Sequence, residues 1–138
     1  MRIVDLLEEE QETKSFMEVM NEFLPFVTKE LDLPGLPKIK LEARLGSAEQ
    51  PSFGKFVSEE NTIYLAVEDR HPIDIIRTFA HELVHFKQGV EHNLGPDSGN
   101  TGSPQENEAH QLAGIVMRNF NKAYPEFFGK PAVNVNRQ

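Results

Sequence analysis

The sequence contains no cysteine. Disulfides and thiolate metal sites are therefore excluded, and any metal must be held by imidazole and carboxylate. The absence also fits a reducing compartment. No stretch approaches the roughly 20 apolar residues of a membrane span. Met1 to Leu7 is followed at once by Glu8-Glu9-Glu10, so the start lacks the apolar run of a secretory signal. A soluble, cytoplasmic protein without a membrane partner is expected. Basic residues are also in short supply: 14 Lys and Arg stand against 22 Asp and Glu, for a net charge of -8. Contact with a phosphate backbone needs a basic surface, so nucleic acid is not an expected partner.

What is present suits one compact domain. The chain has 138 residues, 38% hydrophobic and 26% charged, enough for a single modest core. It is expected to be a monomer, with flexible ends over residues 1–15 and 129–138. From Phe16 to Leu31 apolar residues recur at helical spacing, and Pro25 inside the run predicts a kink or two consecutive helices. Leu33-Pro34-Gly35-Leu36-Pro37 ends this part. Ile39, Leu41 and Ala43 alternate with polar neighbours, the pattern of a strand with one buried face. Phe53–Val57 and Thr62–Val67 flank Ser58–Asn61 as a hairpin. Pro72 can open a helix and Gly89 can stop it; between them Ile73, Ile76, Phe79, Ala80, Leu83 and Phe86 form an apolar face. Glu91–Gly102 reads as a loop. Ser103-Pro104-Gln105-Glu106 is a helix start in which Glu106 can close a capping box, followed by an apolar stripe of Ala109, Leu112, Ala113, Val116 and Phe120. The order helix, small sheet, helix, loop, helix makes an α+β domain.

His81-Glu82-Leu83-Val84-His85 carries the chemistry. Helical residues four apart lie about 40° apart in projection and about 6 Å apart along the axis. Two imidazoles so placed can converge on one zinc ion at about 2.0–2.1 Å per nitrogen. Glu82, one step further round, can reach a metal-activated water as general base without ligating. A chain of this composition would contain the pattern by accident roughly 0.02 times.

A catalytic site of this kind needs a third protein ligand and an open position. His92 follows in His85-Phe86-Lys87-Gln88-Gly89-Val90-Glu91-His92. This segment resembles the metzincin motif, but its glycine and histidine fall one residue too late, and Gly89 is explained as a helix cap. The segment Asn107-Glu108-Ala109-His110-Gln111-Leu112-Ala113 resembles the ligand helix of the gluzincin branch of HExxH peptidases, and most closely that of the small IrrE/ImmA-type peptidases. In those families a glutamate of the next helix completes the metal site. Glu106 and Glu108 lie about 200° apart on a helix, so only one can face the metal. Glu106 is the expected capping-box residue, and Glu108 adjoins Ala109 and Leu112. The expected metal ligands are therefore His81, His85 and Glu108, with Glu82 catalytic and His110 on the surface.

The resemblance implies a minimal zincin-like domain: an N-terminal helix, a three-stranded antiparallel sheet, an active-site helix and a ligand-bearing C-terminal helix. It implies a zinc metallopeptidase acting on a protein or peptide substrate laid along an edge strand, for which the 53–67 hairpin is the candidate. Tyr64, His92 and His110 are candidates for stabilising the oxyanion, and residues 91–102 for a lid. Two alternatives are a non-catalytic zinc-binding regulatory module and a zinc amidase acting on cell-wall peptides.

Overall fold

The computed structural model describes residues 3–92 and 103–129, with side chains over 16–90 and 103–128. Phe16, Val19, Met20, Phe23 and Val27 recur at intervals of three and four and are all buried, the stripe that holds a helix on a core. That helix, α1 (Ile3–Glu30), starts well before Phe16 and takes in residues 3–15. It also runs through Pro25 without dividing in two. Proline removes the bond to the carbonyl four residues earlier; here that is Asn21, on the exposed face where water can serve it. Asp32 takes a left-handed φ of 52°, and the Leu33 N–H returns to the Thr28 carbonyl at 2.9 Å, which ends the helix before Pro34.

Five strands follow: β1 (Lys38–Glu42), β2 (Leu45–Gly46), β3 (Pro51–Ser52), β4 (Gly54–Val57) and β5 (Thr62–Ala66). β4 and β5 form the expected antiparallel hairpin. β1, however, pairs with β5 in parallel, Ile39 opposite Ile63 and Leu41 opposite Leu65. The sheet is therefore mixed, with order β1-β5-β4, and not antiparallel throughout. Parallel neighbours need a connection of a dozen residues or more, and residues 43–61 supply it. β1 is an edge strand with little inward face, since Leu41 is 44% exposed and Ile39 only partly buried. Within the connection β2 and β3 form a separate two-stranded ribbon with no counterpart in the expected pattern. Its turn needs Gly46, whose φ is +77° and whose missing Cβ would stand 2.4 Å from the Gln50 carbonyl oxygen; a side chain there is strained on both counts.

Pro72 opens α2 (Pro72–His92), and His71 Nδ1 accepts the Ile73 N–H at 3.0 Å to cap it. All six apolar residues expected on its inner face are buried. Gly89 does not end the helix, which runs on to His92. A glycine cap needs a left-handed φ, and among the described glycines only Gly46 has one. His92 thus falls at the end of a helix and not in a loop; its side chain, and residues 93–102 proposed as a lid, lie outside the described residues. Ser103 caps α3 (Pro104–Ala123), and a 3-10 turn (Pro125–Gly129) follows.

The three helices meet through aromatic rings. Phe23 of α1 lies 6.0 Å from Phe79 of α2 and 5.0 Å from Phe120 of α3 between ring centroids, within the range where such pairs attract beyond their buried area. Ile63 and Leu65 of β5 close the other side of this core. The result is a small α+β domain in which α2 is covered by α1, α3 and the sheet. Among the described residues no helix is long and apolar enough to cross a membrane.

Candidate metal centre

α2 is buried along the Phe79–Leu83–Phe86 side, and this turns His81, Glu82 and His85 toward its rim, where each is partly buried. The first turn of α3 crosses there. Ser103 Oγ accepts the Glu106 N–H at 3.0 Å, the first half of the expected capping box. The second half does not carry the Glu106 side chain back to Ser103. Its carboxylate reaches across to α2, with Oε1 2.5 Å from His81 Nε2 and Oε2 3.2 Å from His85 Nε2. His110, one turn on, places Nε2 3.4 Å from Glu106 Oε1, and its ring centroid is 4.6 Å from that of His81. The His81, His85 and Glu106 side chains are 18%, 12% and 14% exposed, whereas His110 is 71% exposed, consistent with its expected place at the surface.

Glu108, the expected third ligand, is not brought to the histidines. It is exposed, and its Oε1 accepts Gln88 Nε2 at 2.7 Å. Helical phase explains the exchange. Ala109, Ala113, Val116, Met117 and Phe120 form the buried stripe of α3. At 100° per residue, Glu106 lies about 40° from the middle of that stripe and Glu108 about 120° from it, on the other side.

Two imidazoles and a carboxylate make a donor set suited to zinc. Ligand atoms 2.0–2.1 Å from a tetrahedral ion stand roughly 3.3 Å apart. The spacings of 3.2 Å from Glu106 to His85 and 3.4 Å to His110 match that figure. The His81–Glu106 contact is a direct hydrogen bond and must open for a cation to enter. Among the described residues, the group whose ligand atoms all lie within 4.8 Å of one another is His81, Glu106 and His110; His85 meets the other Glu106 oxygen but is not part of that group. Burial lowers the pKa of His81 against the opposing pull of Glu106, which favours the neutral ring a metal requires.

Glu82 points into the adjoining cleft. Burial raises its pKa to about 7; the nearby His85 pulls it down, Glu106 pushes it up, and the Phe56 main-chain N–H donated to its carboxylate pulls it down again. The cleft measures about 280 Å³ and lies between Phe53 and Gly54 on one side, Arg77, Thr78 and Glu82 on α2, and His110. Gly54 allows this close approach of strand and helix, because a Cβ there would sit 2.5 Å from Thr78 Cγ2. Tyr64 takes no part: its hydroxyl donates to the Glu60 carboxylate, which raises its pKa, on the face of β5 opposite the buried Ile63 and Leu65.

Phe53 also walls a second cavity of about 440 Å³, lined by Leu45, Ser47 and Pro51 of the β2–β3 ribbon together with Arg44 and Arg70. Both arginines are engaged. Arg44 pairs with Glu68 at 2.7 Å. Arg70 donates to the Ala66 carbonyl at 2.9 Å, the Asp74 carbonyl at 3.0 Å and Thr78 Oγ1 at 2.7 Å, with its guanidinium 4.5 Å from the Phe53 ring centroid. Neither this cavity nor the Arg70 clamp is foreshadowed by a motif. No known protein family, curated protein or solved structure matches the chain.

Proposed function

We propose that the chain is a zinc-dependent peptide-bond hydrolase built as a minimal zincin-like domain, with zinc held by His81, His85 and Glu106. The observation that carries this reading is the convergence of the Glu106 carboxylate, from a different helix, on the two histidines of the His-Glu-Leu-Val-His segment. A zinc ion there would polarise a peptide carbonyl and make water nucleophilic near neutral pH.

The residues of the chain supply the rest. Glu82 takes the proton of the attacking water and passes it to the leaving amine, a task suited to a carboxylate raised to about 7. His110, on the cleft wall, donates to the carbonyl oxygen as negative charge develops. β4 is an edge strand of its sheet, and substrate main chain can pair along it without regard to sequence. Phe53 separates the cleft from the larger cavity, so a substrate side chain next to the scissile bond has an apolar space to enter. Its lining of Leu45, Pro51, Phe53 and Ala66 suits an apolar side chain.

A second reading is a zinc-binding regulatory module without catalysis. It is favoured by the nearness of His110 to His81 and Glu106, since four protein ligands would close the site. The test is zinc content and hydrolysis of an unfolded protein substrate, measured on wild type, Glu106→Ala and Glu82→Gln. The hydrolase reading expects one zinc per chain, lost in Glu106→Ala. It expects Glu82→Gln to keep zinc and lose about 10²–10⁴-fold in turnover. A wild type that binds zinc but cleaves nothing supports the regulatory module, and full activity in Glu82→Gln rules out the mechanism.

A further inference from the structure

Gln88 is the largest puzzle left beside the site. It is only 2% exposed, yet it is polar and belongs to no expected motif. Its amide Nε2 donates to the Gln105 carbonyl at 2.9 Å and to Glu108 Oε1 at 2.7 Å. Its Oε1 stands 2.9 Å from His85 Nδ1. Turning the amide over would set its oxygen against a carbonyl and a carboxylate, neither of which has a proton to give. The orientation is thus forced by chemistry: oxygen toward His85, nitrogen toward α3.

We infer that Gln88, anchored by Glu108 and the Gln105 carbonyl, holds His85 with its proton on Nδ1 and so presents Nε2 as the ligating nitrogen. An amide oxygen only accepts, so Nδ1 must donate. In the neutral ring the lone pair then belongs to Nε2, and because that atom stands 3.2 Å from a Glu106 carboxylate oxygen that also only accepts, the pair is satisfied by a cation placed between them. Partners of this kind orient a ligating histidine and raise its basicity, and their loss typically weakens metal binding 10–100-fold. Gln88 is a positioning residue and Glu108 its anchor. Two acidic residues of one helix turn therefore have separate tasks: Glu106 completes the ligand set, and Glu108 fixes the group that fixes a ligand. The ligand role of Glu106 rests on the zinc reading, whereas the state of His85 Nδ1 does not.

The experiment has two arms. In the first, zinc dissociation constants are measured by chelator competition for wild type, Gln88→Met, Glu108→Leu, Glu108→Gln and Glu106→Gln, each beside the melting temperature of the metal-free protein. Gln88→Met should bind zinc 10–100-fold more weakly. Glu108→Leu, which releases the amide, should lose about tenfold or more, and Glu108→Gln should recover most of it because its amide oxygen still accepts from Gln88. Glu106→Gln should lose far more than any of these. Wild-type affinity in Gln88→Met, or equal and severe losses in Glu108→Gln and Glu106→Gln, would overturn the inference. In the second arm, imidazole 15N spectra of the metal-free wild type should show a proton on His85 Nδ1, and Gln88→Met should lose its protection from exchange. A bare Nδ1 in wild type overturns the inference even if zinc binds. A protein that binds no zinc but shows the protected Nδ1 proton leaves it standing and removes the metal reading alone.

Discussion

The main-chain N–H of Phe56, on the edge strand β4, donates to the carboxylate of Glu82 on α2. This bond joins the strand proposed to receive substrate to the group proposed to move its proton. It also leaves a carboxylate in a setting that disfavours its charge, because burial outweighs the one N–H and the neighbouring His85.

Glu82 should therefore favour the metal-free fold on mild acidification, whereas His81, whose pKa burial lowers, works the other way, so a variant at Glu82 is needed to isolate its share. Glu82 titrates at about 7 in the folded chain against an ordinary value of 4.5, so the folded state binds the proton more tightly. The destabilisation is fully present above pH 7, declines as pH falls, and is gone below about 4.5. Glu82→Gln removes the charge and keeps an acceptor for Phe56. Denaturant unfolding should find this variant more stable than wild type by about 1–3 kcal/mol at pH 8, with the difference vanishing near pH 4.5. A constant difference across that range would contradict the linkage.

His110→Ala separates the two functional readings. If His110 acts on the reacting carbonyl, the variant should keep zinc affinity within a few-fold and lose about 10²–10³-fold in turnover. If it closes the metal site, zinc affinity should fall by orders of magnitude. Cobalt substitution gives a direct check, since the visible spectrum reports the number and kind of ligands.

Gly54 holds strand and helix together at a distance no side chain permits. Gly54→Ala should destabilise by about 1–3 kcal/mol as an overpacking change, because its Cβ would meet Thr78 Cγ2 at 2.5 Å. Thr78→Ser deletes that methyl and keeps the hydroxyl that accepts from Arg70. The double variant should regain much of the loss, a coupling expected for residues in contact. Additive losses in a double-mutant cycle would mean the clash is relieved elsewhere.

Phe53→Ala opens the wall between the two cavities. The ring is 61% exposed, so folding stability should change by less than about 1 kcal/mol. Zinc affinity should stay as in wild type, while KM for substrates with a large apolar residue beside the scissile bond rises about tenfold. Equal effects on substrates with small and large side chains would place the subsite elsewhere.

Much of the fold follows from local patterns. The spacing of Phe79, Leu83 and Phe86 and the Ser103-Pro104 start identify α2 and α3 because periodicity and capping act over a turn or two. The parallel partner of β1 is decided by a crossover of residues 43–61, and no short pattern in Ile39-Lys40-Leu41 encodes it. The site divides the same way. His81, Glu82 and His85 are visible as a spacing on one helix. The choice of Glu106 over Glu108 depends on where α3 crosses α2. One local clue existed: Glu106 precedes Ala109 by three and Ala113 by seven, the positions that share a helical face. The capping box explained Glu106 well enough to hide this. Gln88 and Arg70 had no signal, since a single glutamine or arginine does not mark its partners: Gln88 is anchored by Gln105 and Glu108, 17 and 20 residues away, and Arg70 gathers the Ala66 and Asp74 carbonyls and Thr78 only once β5 and α2 are packed.

The cap at Ser103 has a consequence for kinetics. His81 and His85 share one helix and stay in register whenever α2 is formed. Glu106 belongs to the first turn of α3, and helix ends open far more often than helix middles. The site is thus split between a permanent half and a half that can detach. A bound cation would act as a clasp, slowing amide hydrogen exchange in the opening turn of α3 while leaving α2 almost unchanged, and its escape would begin with fraying at Ser103, before either histidine lets go.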